Sequence, residues 1–175
     1  MRRIVFISFL VMFLLLVSAC SDKKTEEVSP QGVELQGEND YPKKIPHFGV
    51  TSSSIAANVI LDRLCWEKPN EKCDIKHVED FDGLFLGKTT MSVNPREEIF
   101  FSHSSPSDVP KELWGLDNIQ IDLVQNFKGG KSQIEHDGKS FTAPEEPGRY
   151  YYSAKITWIN DIKGEASYAF QVIVK

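Results

Sequence analysis

Two runs near the C-terminus restrict the fold more than any other feature of this chain. In Tyr150–Trp158, the residues Tyr150, Tyr152, Ala154, Ile156 and Trp158 occupy every second position. In Ala166–Val174, Ala166, Tyr168, Phe170, Val172 and Val174 do the same. Successive side chains of an extended chain point to opposite faces, so each run gains one continuous apolar face, and helical spacing fits neither. Asn160-Asp161 and Lys163-Gly164 supply turn chemistry between them, which predicts an antiparallel hairpin. Upstream, Ile119, Ile121 and Leu123 alternate, Lys128-Gly129-Gly130-Lys131 turns the chain back, and a second turn follows at His136-Asp137-Gly138-Lys139. Further strands are expected around Met91–Val93 and Glu98–Ser102. Many short strands at regular spacing predict an all-β domain, a sandwich or a barrel. In Ser54–Trp66, a helix capped by Ser54 would suit Ala56, Ala57 and Leu61. Val59, Ile60 and Leu61 in succession suit a buried strand, and the segment is read as a strand.

The N-terminus carries an address. Arg2 and Arg3 precede an apolar stretch from Ile4 to Val17, broken only by Ser8. Its length suits a signal-peptide core of roughly 7–15 residues and falls short of the roughly 20 that cross a bilayer as a helix. An uncleaved membrane anchor fits less well for that reason. A twin-arginine export signal is rejected, because the arginines sit too close to the start. Val17-Ser18-Ala19-Cys20 resembles the lipobox of bacterial lipoprotein precursors. The resemblance implies a signal peptide over residues 1–19 and a diacylglyceryl group on the Cys20 thiol. More than one acyl chain gives stable anchoring where a single chain binds only marginally. From residue 20 to 44 the chain is polar and without period, so it is expected to be a disordered tether with an end-to-end distance of about 25–30 Å. A short strand over Gly32–Leu35 is the alternative. The domain proper is then expected over residues 45–175.

Charge narrows the partners. Cleavage removes two of the 20 Lys and Arg and none of the 25 Asp and Glu, leaving 18 against 25 and a net charge of −7. Nucleic acid is excluded as a partner, because neutralising phosphates needs a basic surface. Anionic lipid would repel such a domain, so the lipid on Cys20 rather than a protein face should hold it to the membrane. The expected location is the extracytoplasmic face of the cell membrane. That environment permits disulfides, and Cys65 and Cys73 flank a Pro69-Asn70 turn. A bridge between them is expected to contribute roughly 2–3 kcal/mol. Two free buried thiols are the alternative; the spacing does not suit a zinc pair.

Glu146-Pro147-Gly148-Arg149-Tyr150-Tyr151-Tyr152 resembles the E–F corner of immunoglobulin-like domains. The resemblance implies an immunoglobulin-like antiparallel β-sandwich with Tyr150 as the corner tyrosine, its hydroxyl bonded to upstream backbone. Tyr152 stands where an antibody domain has its second core cysteine, so the inter-sheet disulfide is missing. More broadly, Pro46 to Lys175 resembles a group of small Gram-positive lipoproteins. Cys65-Trp66, Cys73-Asp74, the Val93–Phe101 stretch with Ser102 and Pro106, Leu113-Trp114 and the closing Tyr168-Ala169-Phe170 carry that resemblance. Leu64 departs from it, standing where the group has a tyrosine. The resemblance implies a fold and an address, and no reaction.

Catalytic and metal-binding residues are not evident. The histidines, His47, His77, His103 and His136, are far apart, and no pair has helical metal-binding spacing. His103 lies among Ser102, Ser104 and Ser105, which invites a hydrolase, yet no Gly-x-Ser-x-Gly elbow is present. A solvated loop histidine is expected. Glu79-Asp80-Phe81-Asp82-Gly83 fails as an EF-hand, because Val78 and Thr89 would occupy ligand positions. An irregular calcium loop using Asp80 and Asp82 competes with a plain acidic turn. Gly129-Gly130 reads as a hairpin turn rather than a phosphate cradle. No cofactor is expected. Trp158 reads as core. Trp114, in a loop-like region, is the candidate recognition residue if exposed and a plug for the sandwich end if half-buried. The expected function is a non-catalytic binding or interaction module for a cell-envelope protein or glycan. A small extracytoplasmic hydrolase or metal-dependent enzyme and a structural or envelope-stress protein are the alternatives.

Overall fold

The computed structural model describes residues 45–53, 55–104 and 109–175. The expected signal peptide, Cys20 and the tether over residues 20–44 lie outside them. Nine strands are present among the described residues: β1 (His47–Thr51), β2 (Ile60–Trp66), β3 (Met91–Val93), β4 (Glu98–Ser104), β5 (Ile119–Phe127), β6 (Gly130–Gln133), β7 (Ser140–Thr142), β8 (Gly148–Trp158) and β9 (Gly164–Val174). They form two sheets, one ordered β1-β4-β7 and a larger one ordered β2-β9-β8-β5-β6. All pairs are antiparallel except β3, which runs parallel to the far end of β9 with Met91 opposite Val172. The fold is all-β and sandwich-like.

The two alternating runs are its centre. Strands β8 and β9 pair from Gly148 opposite Val174 to Trp158 opposite Gly164. Tyr150, Tyr152, Ala154, Ile156 and Trp158 are buried, as are Ala166, Tyr168, Phe170, Val172 and Val174. Tyr152 and Phe170 stack at 4.9 Å, and Phe141 of the smaller sheet closes on Tyr152 at 5.2 Å. Phe48 of β1 meets Tyr168 of β9 at 5.3 Å, a second contact across the sandwich. Each fully buried large apolar side chain contributes roughly 1.5–3 kcal/mol, and aromatic pairs about 0.5–1.5 kcal/mol more.

Local chemistry sets the turns. Lys128 and Gly129 both have positive φ, 49° and 79°. That is the two-residue hairpin turn whose twist matches the flanking strands, and it joins β5 to β6. At the corner before β8, the Tyr150 hydroxyl donates to the Glu146 carbonyl at 2.7 Å. Gly164 lets β2 approach: a Cβ there would lie 2.4 Å from Cε3 of Trp66 and 2.7 Å from the Cys65 carbonyl. Trp66 then packs on Trp158 with ring centroids 4.7 Å apart. Cys65 and Cys73 are joined by a disulfide, with Cα atoms 5.8 Å apart.

Two expectations are corrected. His103 is not a solvated loop residue but belongs to β4, where Ile99, Phe101 and His103 form the buried face. Of Ser54–Trp66, only Ile60–Trp66 is a strand; Ile55–Val59 is irregular apart from a single bridge between Ala56 and Thr51, and Ser54 is outside the described residues. Ile55–Val59 bonds to the edge of β1 instead, with the Ala57 amide donating to the Val50 carbonyl at 2.8 Å.

Candidate functional site

Between β2 and β3 the chain runs from Glu67 to Thr90 without a strand. Structureless connections longer than about 12–15 residues are uncommon in compact domains and are usually functional. This one, rooted at the Cys65–Cys73 disulfide, lies as a strap across the outer face of the larger sheet. Its effect is visible in burial. Ser153 of β8 and Ser167, Ala169 and Gln171 of β9 alternate with the core-facing residues, and so point away from the core, yet all four are buried. The strap in turn buries its own Ile75 and Val78.

The crossing proceeds strand by strand. Over β9, the Ile75 amide donates to Oε2 of Glu165 at 2.8 Å, while Oε1 of Glu165 pairs with Nζ of Lys155 at 3.0 Å. Over β8, the Val78 amide donates to Oγ of Ser153 at 2.7 Å. His77 bridges β8 and β5, with Nδ1 3.1 Å from Oγ of Ser153 and Nε2 3.1 Å from Oδ2 of Asp122. The hydroxyl of Ser153 already accepts the Val78 amide. The bonds are therefore all satisfied when Ser153 donates to Nδ1 and the ring donates from Nε2 to the carboxylate. At β6, Lys131 pairs with Glu79 of the strap at 3.0 Å. The chain then returns over β8, where Phe81 stacks on Tyr151 at 5.3 Å and Phe85 lies 6.0 Å from the same ring. Gln171 donates to the Thr90 hydroxyl as the strap enters β3.

Beside the strap lies an open cleft of about 810 Å³. Asp62 and Arg63 line it at β2; Lys76, His77, Val78, Glu79 and Asp80 on the strap; and Val124, Lys131, Ser132 and Gln133 at β5 and β6. Asp62 accepts from the Ser167 hydroxyl at 3.1 Å. Burial alone would raise the Asp122 carboxyl. Hydrogen bonds from Gln133 and His77, with the charge of Lys155, outweigh burial and hold it below the usual carboxylate range.

Ser153, His77 and Asp122 have the composition of a hydrolytic triad, but their geometry is that of an anchor. Ser153 has 0 % exposure, and its oxygen receives a backbone amide from the strap. A nucleophile must reach substrate, and this hydroxyl is roofed over.

The residues singled out in the sequence divide between two places. Asp80 and Asp82 belong to the strap, where Asp80 accepts the Asp82 amide at 2.9 Å. Among the described residues, no group of three or more His, Cys, Asp or Glu side chains is placed to hold a metal ion. His103 and Trp114 lie together at one end of the sandwich. Nδ1 of His103 donates to the Gly115 carbonyl at 3.2 Å, and Nε1 of Trp114 donates to the Val109 carbonyl at 3.0 Å. Trp114 is half-buried and packs against the core, which closes that end. Burial pushes His103 below its ordinary value, outweighing the Gly115 hydrogen bond. Ser102 and Ser104 flank His103 on the same strand and therefore point to the opposite face, so neither joins it; Ser105 lies outside the described residues. Sequence reasoning missed His77, Ser153 and the cleft. One signal was present: the outward positions Ser167, Ala169 and Gln171 of β9 are uncharged, unlike an ordinary solvent-facing strand.

No protein-family model, curated protein or solved structure matches the chain. No helix among the described residues is long and apolar enough to cross a membrane.

Proposed function

We propose that this chain is an extracytoplasmic lipoprotein, anchored in the cell membrane by the lipid on Cys20, whose sandwich is a non-catalytic binding module for a cell-envelope protein or glycan. The observation that carries the binding reading is the cleft beside the strap. Residues far apart in sequence, from Asp62 to Gln133, line one hollow of about 810 Å³, within the size range of ligand sites. The floor is fixed by the Ser153–His77–Asp122 anchor, so the walls are held in place before any ligand arrives, which lowers the cost of binding. The lipobox resemblance at Val17–Cys20 supports the location.

A photo-reactive residue installed at Ser132, in the cleft, is compared in intact cells with one at Ser102, on the outer face of the smaller sheet. The reading expects a discrete envelope adduct from position 132 and none from position 102. Adducts at equal yield from both positions, or from neither, would overturn it.

A further inference from the structure

We propose that the cleft takes an extended peptide segment carrying side chains of both charges, which lies alongside Lys76–Asp80 of the strap and pairs with its main chain. The proposal rests on the binding reading above and names the ligand class for that site.

Shape comes first. From Lys72 to Phe81 the strap runs without helix, turn or bend, passing from Glu165 of β9 at Ile75 to Ser153 of β8 at Val78. Between Lys72 and Asp80 its main chain pairs with no strand. Its amides at Ile75 and Val78 reach down to sheet side chains. An extended segment with unpaired backbone is the template on which an added peptide strand gains main-chain hydrogen bonds. The cleft beside it reaches from Asp62 and Arg63 on β2 to Lys131 on β6, the two outer strands of the sheet. Four strand spacings make that about 19 Å, the span of about six extended residues.

Charge comes second. The lining holds three bases, Arg63, Lys76 and Lys131, against three acids, Asp62, Glu79 and Asp80. This balance contrasts with the −7 of the mature chain. A purely cationic ligand meets the three bases, and a purely anionic one meets the acids and the field of the whole domain. A ligand with both signs satisfies the lining. The resident cations are exchangeable: Arg63, 3.4 Å from Asp62, and Lys131, 3.0 Å from Glu79, are largely exposed, and pairs made by such side chains are worth about 0–1 kcal/mol. The lining contains no Phe, Tyr or Trp side chain on which a sugar ring would stack, which favours peptide over glycan.

The test uses the full mature chain in detergent micelles and four probes. These are a blocked hexapeptide alternating threonine with charged residues of both signs, matching peptides with only lysine or only glutamate, and a neutral N-acetylglucosamine hexamer. Fluorescence anisotropy is expected to rank the mixed-charge peptide tightest. R63E and K131E, both at exposed positions, should each weaken it by about five-fold or more, and raised salt should weaken it further. Equal binding of a like-charged peptide, or no effect of either reversal in a folded variant, would overturn the proposal. Binding of the hexasaccharide alone, lost in K131E, would overturn the ligand class and leave the binding reading standing. No binding of any probe, with an adduct still formed at position 132 in cells, would also overturn the ligand class. Loss of both the binding and the adduct would remove the two readings together.

Discussion

Replacing Ser153 by alanine tests the anchor beneath the strap. The hydroxyl oxygen accepts the Val78 amide at 2.7 Å and bonds Nδ1 of His77 at 3.1 Å, at a position with no solvent access. In Ser153→Ala the Val78 amide is left buried without an acceptor, which costs about 1–3 kcal/mol. The lost bond to His77 adds about 0.5–1.5 kcal/mol, less whatever its remaining bond to Asp122 preserves. The expected loss is therefore about 2–4 kcal/mol. With a urea m-value of about 2 kcal/mol/M, the unfolding midpoint falls by about 1–2 M. Hydrogen exchange reads the same event locally, because the Val78 amide should lose protection ahead of the amides of β8 and β9. In a cycle with His77→Ala the two substitutions should couple by about 0.5 kcal/mol or more, since they share one bond. A midpoint shift below about 0.3 M with Val78 protection unchanged would show that the strap is held by other contacts and would refute the anchor.

His103 makes stability depend on pH. Its folded pKa lies below the ordinary 6.5 because it is buried, so the unfolded chain takes up the proton first. Stability is full above about pH 6.5 and falls as the pH drops from there towards the depressed folded value. Thermal melts across that window should show a steeper acid loss for the parent chain than for His103→Gln; identical slopes would refute the assignment. At Gly164, alanine would place a Cβ 2.7 Å from the Cys65 carbonyl and against the Trp66 ring. Gly164→Ala should lose about 1–3 kcal/mol by urea titration. A neutral result would mean that β2 can move away from β9.

The sequence announced much of the sandwich through period and turns. Ten alternating residues in two runs fixed the central hairpin and its buried face, because period two assigns each side chain to a face without reference to the rest of the chain. Lys128-Gly129 marked a tight reversal for the same local reason. His103 was misread because the serines around it suggest a loop, although Ile99, Phe101 and His103 already carried the strand period. The Tyr150 corner was legible because its acceptor, the Glu146 carbonyl, is only four residues away.

The cleft was settled elsewhere. His77 meets Ser153 across 76 residues and Asp122 across 45, and Ile75 meets Glu165 across 90. Nothing in the Glu67–Thr90 segment has a period that says where it lies, since its order comes from groups on strands it is not paired with. Local pattern determined which residues face the core. Only the assembled sheet decided which of the outward ones would be covered, because burial of Ser153 and Gln171 requires a distant piece of chain to reach them, with Val78 and Thr90 of that piece bonding to them.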